Sequence, residues 1–170
     1  LIMYSEKIEM LIDGRWCQGS DGDSQTLVNP ATEEVIGEVP HASERDLEKA
    51  IEASAKGFSV WRNFTPLARQ AIFEKAARLM ESRAEKMAKT LTLEMGKPLS
   101  ESKLEINFVI DVTRWYGEEG KRTYGRLVPS RIAGVRQMVT KEPVGPACAF
   151  VAWNFPGTNL SLIHISEPTR

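Results

Sequence analysis

The stretch GPACAFVAW, residues 145–153, constrains the fold more than any other part of the chain. It is apolar at nearly every position, so it offers no polar face to water. Pro143, Gly145 and Pro146 bound it on one side and NFPG, residues 154–157, on the other. A short continuous apolar run between such breakers reads as a strand covered on both faces, the condition of a strand inside a parallel sheet. Helical segments lead into it, and that combination implies an α/β architecture.

The residues before it fall into three blocks. As far as about His41 the chain reads as strands and turns. In EMLIDGRWCQG, Asp13-Gly14 separates two apolar runs and signals a tight hairpin. In TLVNPATEEVIGEVP, Asn29-Pro30 makes the turn, and Val35, Ile36 and Val39 supply a second short strand. From about Ser43 to Gly120 the pattern is helical. SERD, residues 43–46, is a capping box, after which Leu47, Ile51, Ala55, Phe58 and Trp61 recur on one face. Thr65 and Pro66 open a second helix, with Leu67, Ala71, Ile72, Ala76, Leu79 and Met80 on one side. Ser82 with Glu85 offers a further cap, which predicts two helices in series ending near Gly96-Lys97-Pro98. LSESKLEINFVIDVTRWYGEEG is the last helix of the block, with Leu104, Ile106, Val109, Ile110 and Val112 mostly inward. YGRLVPSR and GVRQMVTKEP then read as the arms of a hairpin around residues 132–134, leading into the apolar run.

Charge and composition remove several function classes. The formal net charge is −1, which gives no reason to expect nucleic acid or an anionic membrane as partner. No apolar run approaches the roughly 18 residues of a membrane span. LIMYSEKIEM lacks a long apolar region after a basic start, so no secretory signal is expected. The chain opens on Leu1, with Met3 a plausible start. Cys17 and Cys148 lie far apart, form no metal or redox spacing, and fit a reducing cytoplasm as small apolar fillers. No metal site is expected.

Asn154 is the sharpest local clue to chemistry. Open α/β sheets bind ligands beyond the carboxyl ends of their strands, and Asn154 stands just past the end of the apolar run, before Pro156. A side-chain amide there has N–H donors able to hold a developing oxyanion. Asn before Phe-Pro-Gly is also ordinary turn chemistry, and locally that is the simpler reading. Other candidates are weaker. Neither a G-x-G-x-x-G after a strand nor a phosphate-loop motif occurs. Gly117 and Gly120 suit a helix cap. Glu94 and Lys97 read as a helix terminus capped by Gly96, His41 as an exposed loop histidine, and Cys148 as a buried, inert thiol.

IDGRW, NPATEEVIGEVPHAS, GFSVW, LTLEMGKP, VTKEPVGP and WNFPG, in this order, resemble the aldehyde dehydrogenase superfamily from about Met10 to Asn159. The NAD(P)-dependent succinate-semialdehyde dehydrogenase branch is the most similar. In that family a cysteine thiolate attacks the aldehyde. The oxyanion is held by the asparagine of the WNFP turn, hydride passes to the nicotinamide, and a glutamate-activated water releases the acid from the thioester. The resemblance makes Asn154 the oxyanion donor and places Phe150, Val151 and Trp153 along the NAD or NADP nucleotide. The family has proline before the tryptophan where this chain has Ala152, which loosens φ there.

The expected fold is therefore α/β, the N-terminal part of the aldehyde dehydrogenase fold: hairpins, a helical layer and the first strand of a Rossmann-type parallel sheet. Residues 1–123 would be the N-terminal part of the cofactor domain and 124–142 an oligomerisation hairpin arm. Residues 143–159 would be the strand and active-site turn. The expected activity is oxidation of a small-molecule aldehyde, such as a semialdehyde, in a cytoplasmic homo-oligomer (dimer or tetramer) without nucleic acid or membrane. The family's nucleophilic cysteine, glutamate base and Gly-rich cofactor turn match nothing in these residues, so the fragment itself is expected to be inactive. Alternatives are the CoA-acylating branch or a non-catalytic oligomerising stub. LSLIHISEPTR, residues 160–170, back-translates into a transposase adapter used in preparing DNA for sequencing, and is expected to be foreign.

Overall fold

The computed structural model describes residues 7–161. The expectations about Met3 and about most of the 160–170 tail fall outside that range. Strands β1 (Met10–Ile12) and β2 (Arg15–Cys17) form the first hairpin, pairing Met10 with Cys17 and Ile12 with Arg15. Both central residues of its turn are left-handed, Asp13 at φ 52° and Gly14 at φ 72°. That is the mirror-image turn whose twist suits a two-residue hairpin, as Asp-Gly predicts. Strands β3 (Ser24–Val28) and β4 (Val35–Pro40) form the second, with a register shift between Leu27 and Val28. Its turn is organised by Asn29. The Asn29 side-chain oxygen accepts the Ala31 N–H at 2.9 Å, and its backbone N–H donates to the Glu34 carbonyl at 2.9 Å.

Helix α1 (Glu44–Trp61) begins at the expected capping box. The Ser43 hydroxyl accepts the Asp46 N–H, and the Asp46 carboxylate accepts the Ser43 N–H. The Ser20 N–H also donates to Asp46 at 2.7 Å, tying the loop after β2 to the helix start. The expected inward face of α1 is not covered: Leu47 and Ile51 are more than half exposed.

Helix α2 (Pro66–Met95) is one continuous helix, not two. Thr65 caps it, its hydroxyl accepting the Ala68 N–H. The Ser82 hydroxyl donates backwards to the Leu79 carbonyl at 2.8 Å, and a serine bonded within the preceding turn does not interrupt the helix. Gly96, at φ 73°, ends α2 with its N–H on the Thr92 carbonyl. Helix α3 (Leu99–Glu119) follows, then a tight 3-10 turn (Gly120–Arg122).

The chain divides into two units that share α2 and α3. The first holds residues up to Trp61 with Arg83–Ile106. Its core includes Ile36, Ala88, Leu91 and Ile106, with Ser102 and Glu105 also buried. Thr92 donates to Ser102 across the two helices at 2.9 Å. The second holds Arg62–Ser82 with the residues from Asn107 on. Phe73, Ala77, Val109, Ile110 and Thr113 are buried there. A Cβ at Gly117 would lie 2.8 Å from Phe73 Cβ, so this glycine lets α3 approach α2 and is not a cap. The expected inward positions shift accordingly. Within the second unit α2 buries Phe73 and Ala77, while Leu67, Ile72 and Leu79 are exposed; on α3 Leu104 is exposed.

Also in the second unit, β5 (Arg126–Pro129) and β6 (Arg136–Val139) pair antiparallel as the expected hairpin, with every strand residue exposed. The remaining helix is α4 (Pro156–Leu160). Residues 141–152 form no strand. This corrects the reading of residues 145–153 as a buried strand, and Cys148, expected buried, is exposed. The physical reason is that a parallel strand exists only through its neighbours, and the described residues provide this segment with no ladder partner. The described chain remains a mixed helix and strand structure, and none of its described helices is long and apolar enough to cross a membrane.

Candidate functional site

The expected site residues lie within the five positions from Phe150 to Asn154. Phe150 is 94% exposed and Trp153 80%, with Val151 at the border of exposure. Asn154 follows, exposed, in the turn that leads into α4. Phe155 precedes the helix at φ −138°, ψ 66°, outside helical geometry, and Pro156 occupies the first helical turn, where its missing N–H costs nothing. The chain thus carries an amide side chain just before a short helix, preceded in sequence by two aromatic side chains that meet solvent.

Asn159 is a residue the sequence reading passed over. Its side-chain nitrogen donates to the Ala152 carbonyl at 3.2 Å, and its N–H donates to the Phe155 carbonyl at 2.8 Å. Nothing in the sequence pointed to the side-chain bond, which joins residues seven apart across the turn.

Other charged groups resolve into structural roles. Lys97 forms an ion pair with Glu105 in which the Glu105 side chain is 2% exposed and that of Lys97 13%. Arg114 bridges Glu74 and Glu81, and the guanidinium is held charged far above the ordinary range, first by its hydrogen bond to Glu81. Glu74 is lowered chiefly by its hydrogen bond from Arg78, Glu81 by that from Arg114, and Glu85 by that from Lys103. The Ser20 backbone N–H, followed by the hydroxyls of Ser20 and Ser43, holds the Asp46 carboxyl far below the usual carboxylate range against the opposing cost of burial. His41 is exposed in its connection, as expected. No cluster of three or more potential metal ligands occurs among the described residues.

Comparison with known proteins places the chain. Residues 16–165 match the aldehyde dehydrogenase family, running six residues past Asn159, where the expected junction with a foreign tail lies. The succinate semialdehyde dehydrogenase of Acinetobacter baylyi is 36% identical over 151 residues, 89% of this chain and 31% of that protein. The 4-(hydroxymethyl)benzenesulfonate dehydrogenase TsaD1 of Comamonas testosteroni is 39% identical over 148 residues, covering 87% of this chain and 31% of that protein. Among solved structures, an aldehyde dehydrogenase from Brucella melitensis biovar abortus 2308 superposes with a TM-score of 0.94 at 34% identity, covering 99% of this chain and 36% of that one. The chain spans about 31% of the length of the curated relatives it matches. A match over nearly all of its residues, joined to a superposition that close, means that the chain belongs to the aldehyde dehydrogenase family.

Proposed function

We propose that this chain is part of an enzyme that oxidises a small aldehyde, of the semialdehyde kind, to the carboxylic acid with NAD or NADP. The observation that carries the reading is the position of Asn154 beside the exposed Phe150 and Trp153. When a nucleophile adds to an aldehyde carbonyl, the oxygen takes on negative charge. A fixed amide donor stabilises that charge more in the transition state than in the ground state. Asn154 is that donor. Phe150, Val151 and Trp153 would hold the cofactor, and their aromatic and apolar surface suits a nucleotide. The nicotinamide, when bound, supplies the hydride acceptor. The semialdehyde class is supported by relatives described as succinate- and glutarate-semialdehyde dehydrogenases.

In this reading residues 1–123 belong to the cofactor domain and 124–142 form an oligomerisation arm. The exposure of every β5 and β6 residue supports an arm that pairs with another subunit. Residues 143–159 carry the active-site turn, and residues 160–170 are foreign. The setting is a reducing cytoplasm.

The test begins by sequencing the source DNA across codon 159 and expressing the whole reading frame. Aldehyde-dependent formation of NADH or NADPH is then measured. Asn154→Ala in that enzyme is expected to lower kcat by about 10²–10³ without loss of fold. An unchanged kcat removes the role. A genomic frame that truly encodes LSLIHISEPTR and stops there removes the enzyme reading.

A further inference from the structure

The charges of this chain are sorted along its sequence. Residues 16–44 carry Asp21, Asp23, Glu33, Glu34, Glu38 and Glu44 and no lysine or arginine. Residues 120–141 carry Lys121, Arg122, Arg126, Arg131, Arg136 and Lys141 and no aspartate or glutamate. All six carboxylates are exposed, and none takes an ion pair among the described residues. Of the six cations, Lys121 pairs with Glu118 and Arg122 with Glu119, within one turn. Arg126, Arg131, Arg136 and Lys141 are exposed and take no ion pair among the described residues.

Two of these four cations flank a cavity. Strands β5 and β6 pair Arg126 with Val139 and Leu127 with Met138. Neighbouring strand residues point to opposite sides, so Arg126 and Val139 share one face of the ribbon and Leu127 and Met138 the other. At the root of the ribbon Arg126 and Val139 join Tyr124, Gly125 and Lys141 around a cavity of about 330 Å³. A Cβ at Gly125 would run into the Val139 carbonyl, so the two backbones meet there with no side chain between them. A guanidinium fork and an ammonium, both unpaired, suit a carboxylate. Covering this face with an uncharged surface would take both cations out of water without repayment, and the same holds for the carboxylates of residues 16–44. A second copy of the chain answers both needs at once. Its acidic segment meets this ribbon while its own ribbon meets this acidic segment, the reciprocity of a two-fold contact.

We propose that the cavity between Arg126 and Lys141 is a docking site for a carboxylate from residues 16–44 of a second copy; this rests on the reading of residues 124–142 as an oligomerisation arm. Exposed charge pairs add little affinity singly and act chiefly on association rate and choice of partner. The site therefore selects where the ribbon lands, and the face with the exposed Leu127 and Met138 is left for apolar burial.

The test follows assembly of the complete enzyme by sedimentation velocity over a dilution series. It is run at about 0.1 M and about 1 M salt, between which the screening length falls from about 10 Å to about 3 Å. At the lower salt Arg126→Glu/Lys141→Glu is expected to raise the subunit dissociation constant about tenfold, and Asp21→Lys/Glu34→Lys/Glu38→Lys likewise. One chain carrying both sets of reversals is expected to return to within about threefold of wild type, because both sides of each contact have changed sign. A general loss of stability does not produce that recovery. At the higher salt the variants and wild type should converge.

A ribbon reversal that leaves the dissociation constant within about twofold of wild type overturns the proposal. So does a combined variant as weak as the ribbon variant, since the cavity then takes a carboxylate from elsewhere in the enzyme. If a reversal variant does not fold, Arg126→Gln/Lys141→Gln and Asp21→Asn/Glu34→Gln/Glu38→Gln replace the two sets. Each is expected to weaken assembly, and losses that multiply on combination count against the contact. Leu127→Asp/Met138→Asp tests the underlying reading separately. If it dissociates the subunits and the ribbon reversal does not, the arm stands and the carboxylate site alone falls. If neither affects assembly, the arm reading itself falls.

Discussion

Glu33 stands in the turn between β3 and β4 with a left-handed backbone, φ 59°, and an exposed side chain. A residue with a Cβ is strained there, at about 1–3 kcal/mol, where glycine would not be. Glu33→Gly keeps the bond from the residue 33 N–H to the Asn29 carbonyl. The net gain expected, after glycine's extra unfolded-state entropy, is about 0.5–1 kcal/mol, read as a rise of about 2 °C in Tm. Asp46 gives a second prediction. Its folded pKa is depressed, so its contribution is complete above the ordinary carboxylate value of about 3.9 and is lost as pH falls from there toward the depressed value. Asp46→Asn should flatten the acid limb of stability below about pH 4, measured as denaturation midpoint against pH. Equal slopes for the two proteins would sink the assignment. The Ser43–Asp46 box was legible because both partners lie within four residues, whereas the bonds from Ser20, 26 residues away, were not.

At the scale of elements, hairpins and helices followed from local chemistry wherever one segment carried the whole signal. Asp13-Gly14 dictated its turn, and Thr65-Pro66 its helix start. Ser82 misled because the same hydroxyl can cap a new helix or bond back into an old one, and only the surrounding helix decides. The apolar stripes misled for a different reason. Periodicity identifies a face but not its cover, so Leu47 and Leu67 lie on the predicted faces and still meet solvent. The buried Lys97–Glu105 pair was unreadable, since it joins the α2–α3 connection to the second turn of α3 by spatial proximity. Lys97→Met would leave Glu105 buried without this partner. The expected loss is about 3–5 kcal/mol, seen as a lower urea midpoint, and the double variant Lys97→Met/Glu105→Leu should recover much of it.

At the scale of the molecule, the apolar run of residues 145–153 called for a parallel sheet that the described residues do not contain. The candidate turn was legible as a motif and as a resemblance; the hydrogen bond from the Asn159 side chain to the Ala152 carbonyl was not, because such a bond leaves no trace in composition. Phe150, Trp153, Trp115, Leu104 and Leu67 all stand exposed. So much apolar surface predicts that the 170-residue chain, expressed by itself, binds an apolar dye such as ANS and associates at micromolar concentration. A chain that stays monomeric and dark to the dye would mean those side chains find cover within it. The β5–β6 hairpin has a further consequence. Its tip carries Arg131 between two strands whose residues are all exposed, and a two-stranded ribbon alone is marginally stable. Trypsin should therefore cut the isolated chain early at Arg131. It should spare the same bond wherever a second subunit lies across the ribbon, so that the rate of one proteolytic clip becomes a gauge of assembly.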